Sequence, residues 1–229
     1  MNANYFNTGI YTIRDAAQLT GVSTGRIRRW LRGYHYHSRR KAYASPPLWR
    51  GQWPPIAQSV SLGFLDLIEI RFVEAFLKEG VSWATLRQAR ERAGEMFKVS
   101  HPFCTMGFMT DGRAIFVGLH HETEKAGLLE IVRRQQVFAQ IVRPFLKELE
   151  FAKSKDLVRW WPLGTQRQVV LDPTRNFGRP IVNRRGVPTE VLARATAACG
   201  GSLAEVARWY EVPEAEIRDA VEFEQRFAA

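Results

Sequence analysis

Residues 12–33, TIRDAAQLTGVSTGRIRRWLRG, constrain this chain more than any other stretch. Ile13, Ala16, Ala17 and Leu19 recur at helical spacing, with Thr12 before them as an N-cap. Gly21 breaks that helix and Val22 follows as a small apolar plug. Ser23 or Thr24 then caps a second helix over 25–32, apolar at Ile27, Trp30 and Leu31 and cationic at Arg26, Arg28, Arg29 and Arg32. Two short helices joined by a tight glycine turn, with cations on the second, predict a helix-turn-helix. Its second helix would enter a major groove, where an arginine donates two hydrogen bonds to one guanine. The plainer alternative is a surface helical hairpin whose arginines are only solvated.

The placement of charge favours the first reading. The net charge is +10, and residues 1–60 hold nine Lys/Arg against one acid, Asp15. Residues 61–150 hold twelve of each sign, and 151–229 hold twelve bases against ten acids. The excess therefore sits on and just after the helix pair, as expected if that module contacts a polyanion. A membrane surface is the weaker candidate, because no strongly amphipathic basic helix accompanies the charge. No run of about 18 apolar residues predicts a membrane span, and the N-terminus lacks the order of a secretion signal. Cys104 and Cys199 stand far apart without metal-ligand spacing, so two buried, reduced thiols and a cytoplasmic location are expected.

Residues 34–60 have no helical period. Paired prolines at 46/47 and 54/55 flank Gly51, and Arg39, Arg40, Lys41 and Arg50 alternate with tyrosines and tryptophans. This reads as a wing or extended arm, its cations facing phosphate while Trp49 and Trp53 pack beneath. His35 and His37 lack further ligands at a useful spacing, so no metal is expected. Ala17, Leu19, Thr20, Gly21, Val22, Ser23, Ile27, Arg28 and Trp30 together resemble the N-terminal helix-turn-helix of MerR-type regulators. In that family an aromatic residue near Trp30 closes the helix and a basic wing follows. The resemblance covers roughly residues 10–100, and the arm departs from it by being longer and richer in proline. It implies a bacterial DNA-binding domain over 1–100, with Thr24, Arg26, Arg28, Arg29, Arg32, Arg39, Arg40, Lys41 and Arg50 as its DNA contacts.

Ser61 next reads as an N-cap to an apolar helix from Leu62 to Gly80, and Ser82 as the cap of a helix whose expected buried stripe is Trp83, Leu86, Ala89, Ala93 and Phe97, with Met96 a further candidate. The alternation around Asp111-Gly112 predicts a β-hairpin over 103–119. A helix over about 132–152 follows, kinked or broken at Pro144, and then short extended pieces at 157–163 and 168–171. Residues 101–167 are thus expected to form a small α+β segment for linking or dimerisation. Asp172-Pro173 predicts an Asx turn, and three helices should follow, the second opened by Ser202 with Glu205.

Asp172, Pro173, Gly178, Pro180, Val182, Val187, Ser202, Glu205, Val206, Ala207, Tyr210 and Ile217 resemble a small trihelical domain found in bacterial antitoxins, here over 168–229. Asn183-Arg184-Arg185-Gly186 departs from its usual pattern. Joined to the MerR-like start, the whole resembles a VapB-type antitoxin. The expected fold is mainly α with a small α+β layer: a winged helix-turn-helix, a hairpin/helix segment and a C-terminal trihelical domain. The resemblance implies a homodimer that binds operator DNA, represses its own operon and neutralises a PIN-like ribonuclease toxin. Glycine-rich phosphate loops, GxSxG and HExxH are absent, so no catalysis and no cofactor are expected. The alternative is a MerR-like regulator with a small-molecule effector pocket at Phe103, Phe108, Phe116, Trp160 and Trp161. A pure interaction scaffold is a third.

Overall fold

The computed structural model describes residues 8–38, 41–56, 59–123 and 128–227, with backbone alone at 36–38, 41, 116–123 and 128–135. The described part is mainly helical, with small antiparallel sheets of two strands each. It divides into two compact units, residues 11–144 and residues 1–10 with 145–229.

The first unit opens with β1 (Tyr11–Thr12), α1 (Ile13–Thr20) and α2 (Thr24–Arg32). Thr12 accepts from the Asp15 amide at 3.1 Å, and Asp15 accepts from the Thr12 amide at 2.8 Å, a closed capping box. Gly21, at φ 69°, ends α1 in the left-handed region that glycine enters at no steric cost. Val22 is 1% exposed and Ser23 caps α2. An antiparallel ribbon follows at once, β2 (Tyr34–Ser38) on β3 (Lys41–Ser45), register His35 opposite Ala44. The arm then runs irregularly to β4 (Ser61–Leu62), which pairs with β1.

Ser61 does not cap the next helix. It lies in β4, opposite Thr12, and α3 (Phe64–Lys78) starts after Gly63. The cap is supplied from inside the helix by Asp66, whose carboxylate accepts the Gly63 amide at 2.8 Å. Ser82 does cap α4 (Trp83–Phe97), which buries Leu86, Ala89 and Ala93, while Trp83 and Phe97 are half-buried and Met96, expected in the same stripe, is exposed.

The β-hairpin expected over 103–119 is absent. A short 3-10 turn, Pro102–Cys104, leads into a helix, α5 (Met106–Thr123), and Asp111-Gly112 sits within it. Thr105 accepts the Phe108 amide at 3.0 Å, and the buried positions Phe108, Met109, Gly112 and Ile115 follow a helical period. Gly112 is there for room: a Cβ would lie 2.7 Å from the Phe108 ring and 3.0 Å from Phe138. Helix α6 (Leu128–Glu148) carries Phe138 and contains Pro144. It stops earlier than its periodicity suggested, because Leu149–Phe151 form β5 against β6 (Leu157–Trp160).

In the second unit β7 (Val169–Val170) pairs with β8 (Ile181–Val182). Helices α7 (Thr189–Ala198), α8 (Leu203–Tyr210) and α9 (Glu214–Phe227) enclose Val182, Leu192, Val206, Val212, Ile217 and Ala220. The Asx turn is present: Asp172 accepts the Thr174 amide at 2.9 Å. Arg159 spans the carboxylates of Glu150 and Asp172, and Arg167 those of Asp219 and Glu222.

A repeat unites the units. Helices α8 and α9 reproduce α1 and α2 at a constant offset of 190 residues. Thr12 and Ser202 cap first helices of eight residues each, over Asp15 and Glu205. Gly21 and Glu211 turn left-handed, at φ 69° and 52°. Val22 and Val212 plug the turn, and Ile27 and Ile217 are fully buried on the second helix.

Candidate nucleic-acid interface

Helix α2 carries four arginines and no acid. Its buried side, Ile27 and Trp30, packs inward, with Trp30 stacked on Trp83 at 6.2 Å. This fixes which cations face out. Arg28, Arg29 and Arg32 are exposed, and Thr24 is half-buried at the helix start. Arg26 differs from the rest. Its two terminal nitrogens reach Glu74 of α3 at 2.9 and 2.7 Å, and its guanidinium lies 5.1 Å over the Trp30 ring. Arg26 therefore pins α2 to α3.

The arm is anchored from both sides. The Leu48 amide donates to the Trp30 carbonyl at 2.7 Å. Arg87 of α4 forks onto the carbonyls of Pro46 and Pro47 at 2.8 and 2.9 Å. Arg90 reaches the Leu48 carbonyl at 3.3 Å and lies 5.6 Å over the Trp49 ring. Trp49 and Trp53 are buried, as expected, and Arg50 between them is exposed. Gly33 permits the ribbon to leave α2 closely, since a Cβ there would sit 2.4 Å from the Ser45 carbonyl oxygen. Lys41 opens β3; its side chain, with all of Arg39 and Arg40, lies outside the described residues.

The groups that sequence reasoning passed over are the acids of α3. Asp66 is fully buried and accepts four hydrogen bonds: Trp49 Nε1 and His101 Nε2 at 2.8 Å, the Gly63 amide at 2.8 Å and the Gln52 amide at 2.9 Å. His101 closes onto the Ser100 hydroxyl at 2.9 Å. Glu69, also fully buried, meets Arg90 at 2.9 Å and the Cys104 thiol at 3.5 Å. Burial pushes the Glu69 carboxyl up, against the pull of Arg90 and His101. Burial likewise lifts the Cys104 thiol well above its ordinary value, helped by the Glu69 carboxylate. The signal was present: three carboxylates within a helix apolar around much of its circumference must each find a donor.

The equivalent helix of the repeat has the opposite charge. Glu216, Asp219 and Glu222 of α9 occupy the places of Arg26, Arg29 and Arg32, while Arg218 matches Arg28. Arg184 lies 3.7 Å from Glu216, and Arg167 holds Asp219 and Glu222 at 2.5 and 2.6 Å.

Four of the aromatics suggested as an effector pocket, Phe103, Phe108, Trp160 and Trp161, are core residues. Phe103 and Phe108 touch each other at 4.5 Å between ring centroids and pack on Phe72 and Phe76 in the first unit. Trp160 and Trp161 are buried in the second, their indole nitrogens bonded to Glu148 and Glu150. The Phe116 side chain lies outside the described residues. Among the described residues no three His, Cys, Asp or Glu side chains gather as a metal site. No helix there is long and apolar enough to cross a membrane.

No protein-family model matches the chain. It is 24% identical to a Mycobacterium tuberculosis protein named "Putative antitoxin VapB45", over 95% of this chain and 94% of that one. It shares its fold with the crystal structure of Rv2018 from Mycobacterium tuberculosis, at a TM-score of 0.68 and 18% identity, covering 94% of this chain and 99% of that one.

Proposed function

We propose that this chain is a VapB-type antitoxin that reads operator DNA through α2 and represses its own operon. The observation that carries the DNA reading is the outer face of α2: exposed arginines, no acid, and a ribbon directly after the helix. In this reading α1, α2 and the β2–β3 ribbon act as a MerR-like winged helix-turn-helix. Arg28 and Arg29 contact base edges, with Thr24 at the start of the helix. Arg32, Arg39, Arg40, Lys41 and Arg50 contact phosphates. Arg26 acts at one remove, by fixing the angle of α2 through Glu74. The antitoxin role rests on similarity along nearly the whole chain to a protein bearing that name. It brings a toxin as partner, a PIN-like ribonuclease, and a cytoplasmic homodimer, since one short helix reads too few base pairs for operator specificity.

The test is binding of the full chain to the DNA upstream of its own gene, against a scrambled duplex, at several salt concentrations. The upstream duplex should bind more tightly, and log affinity should fall linearly with log salt. Replacing Arg39, Arg40 or Lys41 should flatten that slope by about 1 each. Equal weak binding to both duplexes would refute operator reading. Co-expression with the ribonuclease of the same operon tests the antitoxin role separately, by formation of a complex that lacks ribonuclease activity.

A further inference from the structure

We propose that the turn Asn176–Gly178 in the second unit binds single-stranded nucleic acid, with Phe177 stacking on a base and Arg179 meeting an adjacent phosphate. The Phe177 side chain is 62% exposed. Its backbone and that of Asn176 are left-handed, at φ 54° and 45°, a region that a bulky residue enters only at a cost. The fold holds it there. The Gly178 amide donates to the Arg175 carbonyl at 2.9 Å, and the Arg179 amide to the Asn176 carbonyl at 3.0 Å. The Ile10 amide donates to the Phe177 carbonyl at 3.0 Å. Arg175 gives its terminal nitrogens to the Asn183 side chain and carbonyl, at 3.1 and 2.7 Å, which ties the turn to the segment before Gly186. A ring fixed outward in this way meets a ligand with little left to order.

Charge and surroundings select the ligand. Residues 173–188 hold four arginines and no acid. Arg175 is occupied by Asn183, but Arg179 is exposed and its guanidinium has no partner among the described residues. Arg184 and Arg185 are exposed and stand 3.7 and 3.8 Å from Glu216 and Glu211, beyond hydrogen-bond reach, so they add field rather than contacts. The other exposed side chains of this segment, Thr174 and Asn176, are polar, and Ile181 and Val182 are buried. A protein anchor stands within an apolar patch, and a lipid surface takes several apolar side chains at once. A lone ring beside guanidinium groups instead suits a base flanked by phosphates. Duplex DNA keeps its base faces stacked inside, so the ring selects a single strand.

The test titrates the full chain with labelled oligothymidylate and oligouridylate of about 12 nucleotides, read by fluorescence anisotropy. Neither strand carries an operator, so failure here is separate from failure of operator reading, and the pair distinguishes DNA from RNA as the source of the strand. Substitutions at Phe177 leave the charge unchanged, so the arginines of α2 contribute equally to every variant. Phe177→Asn removes the ring and tolerates the left-handed backbone. It should weaken binding of at least one strand about ten-fold, the worth of one stacked base, while leaving affinity for the upstream duplex unchanged. Phe177→Trp should bind at least as tightly as the unsubstituted chain. Arg179→Ala should flatten the log–log salt dependence by about 0.7. The proposal is overturned if neither strand saturates, if Phe177→Asn binds both as the unsubstituted chain does, if Phe177→Trp loses as much as Phe177→Asn, or if binding of the upstream duplex falls equally. Loss of the ribonuclease complex in Phe177→Asn with strand binding intact would make the turn a protein-docking surface and would overturn it too.

Discussion

Asp66 shows how one buried charge organises the first unit. Its carboxylate draws Trp49 and Gln52 from the arm, Gly63 from the helix start and His101 from beyond α4 onto a single point. Removing it leaves several buried donors without an acceptor, each costing roughly 1–3 kcal/mol. Asp66→Ala should therefore destabilise the fold by about 3–5 kcal/mol in urea unfolding. Asp66→Asn should cost less, because one oxygen still accepts. A loss under about 1 kcal/mol in the alanine variant would mean that water replaces the carboxylate. Asp172 plays a related part in the second unit. Burial lifts its carboxyl, but bonds from Arg159 and Thr174 outweigh that and hold it below its ordinary value of 3.8. A carboxyl lowered in the folded state gives stability that is present above the unfolded value and lost as pH falls through the folded one. The Asp172→Asn variant should be less stable at neutral pH and lose less on acidification. An unchanged acid limb would show that other carboxylates govern it.

At the level of elements, caps and breakers were legible, and tertiary contacts were not. Thr12, Gly21, Ser23 and Ser82 act where local chemistry placed them, because each satisfies or ends a helix within its own turn. Ser61 misled because Asp66, five residues on, caps α3 from within while Ser61 joins a strand whose partner, Thr12, is distant in sequence. Asp111-Gly112 misled for a similar reason. The pair has the chemistry of a two-residue turn, but Gly112 serves as a gap in α5 that admits the rings of Phe108 and Phe138. The exposed face of α2 was legible as a run of arginines. That Arg26 turns aside to Glu74 was not, since the two lie 48 residues apart. The helical role of Gly112 is open to trial. Gly112→Ala gains up to ~1 kcal/mol of helix propensity, yet its methyl group enters a filled aromatic core. Overpacking of that kind costs about 1–3 kcal/mol, so a net loss of stability is expected by urea unfolding. A net gain would mean that the Phe108 and Phe138 rings move aside freely.

At the scale of the whole molecule, the repeat provides its own control. The same helix pair occurs in both units, with equal first-helix length, left-handed turn, valine plug and buried isoleucine. The matched places of the two second helices differ in charge, and on α9 Arg167 and the Gln168 amide also cover Asp219. Helix α2 carries four cations and no acid; α9 carries Glu214, Glu216, Asp219, Glu222 and Glu224 against Arg218 and Arg226. Duplex DNA carries one negative charge per ~1.7 Å of its axis, and a helix of net negative charge is repelled from it. Arg28 and Arg218 occupy matched places, and both are exposed. Arg28→Ala should cost about 1–3 kcal/mol of binding to the upstream duplex and relax its sequence preference. Arg218→Ala should leave affinity, preference and salt slope unchanged. Fluorescence anisotropy on the full chain measures both substitutions under one set of conditions. If Arg218→Ala matched Arg28→Ala, both helices would be readers and charge would not be what separates the two copies. If neither substitution mattered, the arginine face of α2 would not be the surface that meets DNA.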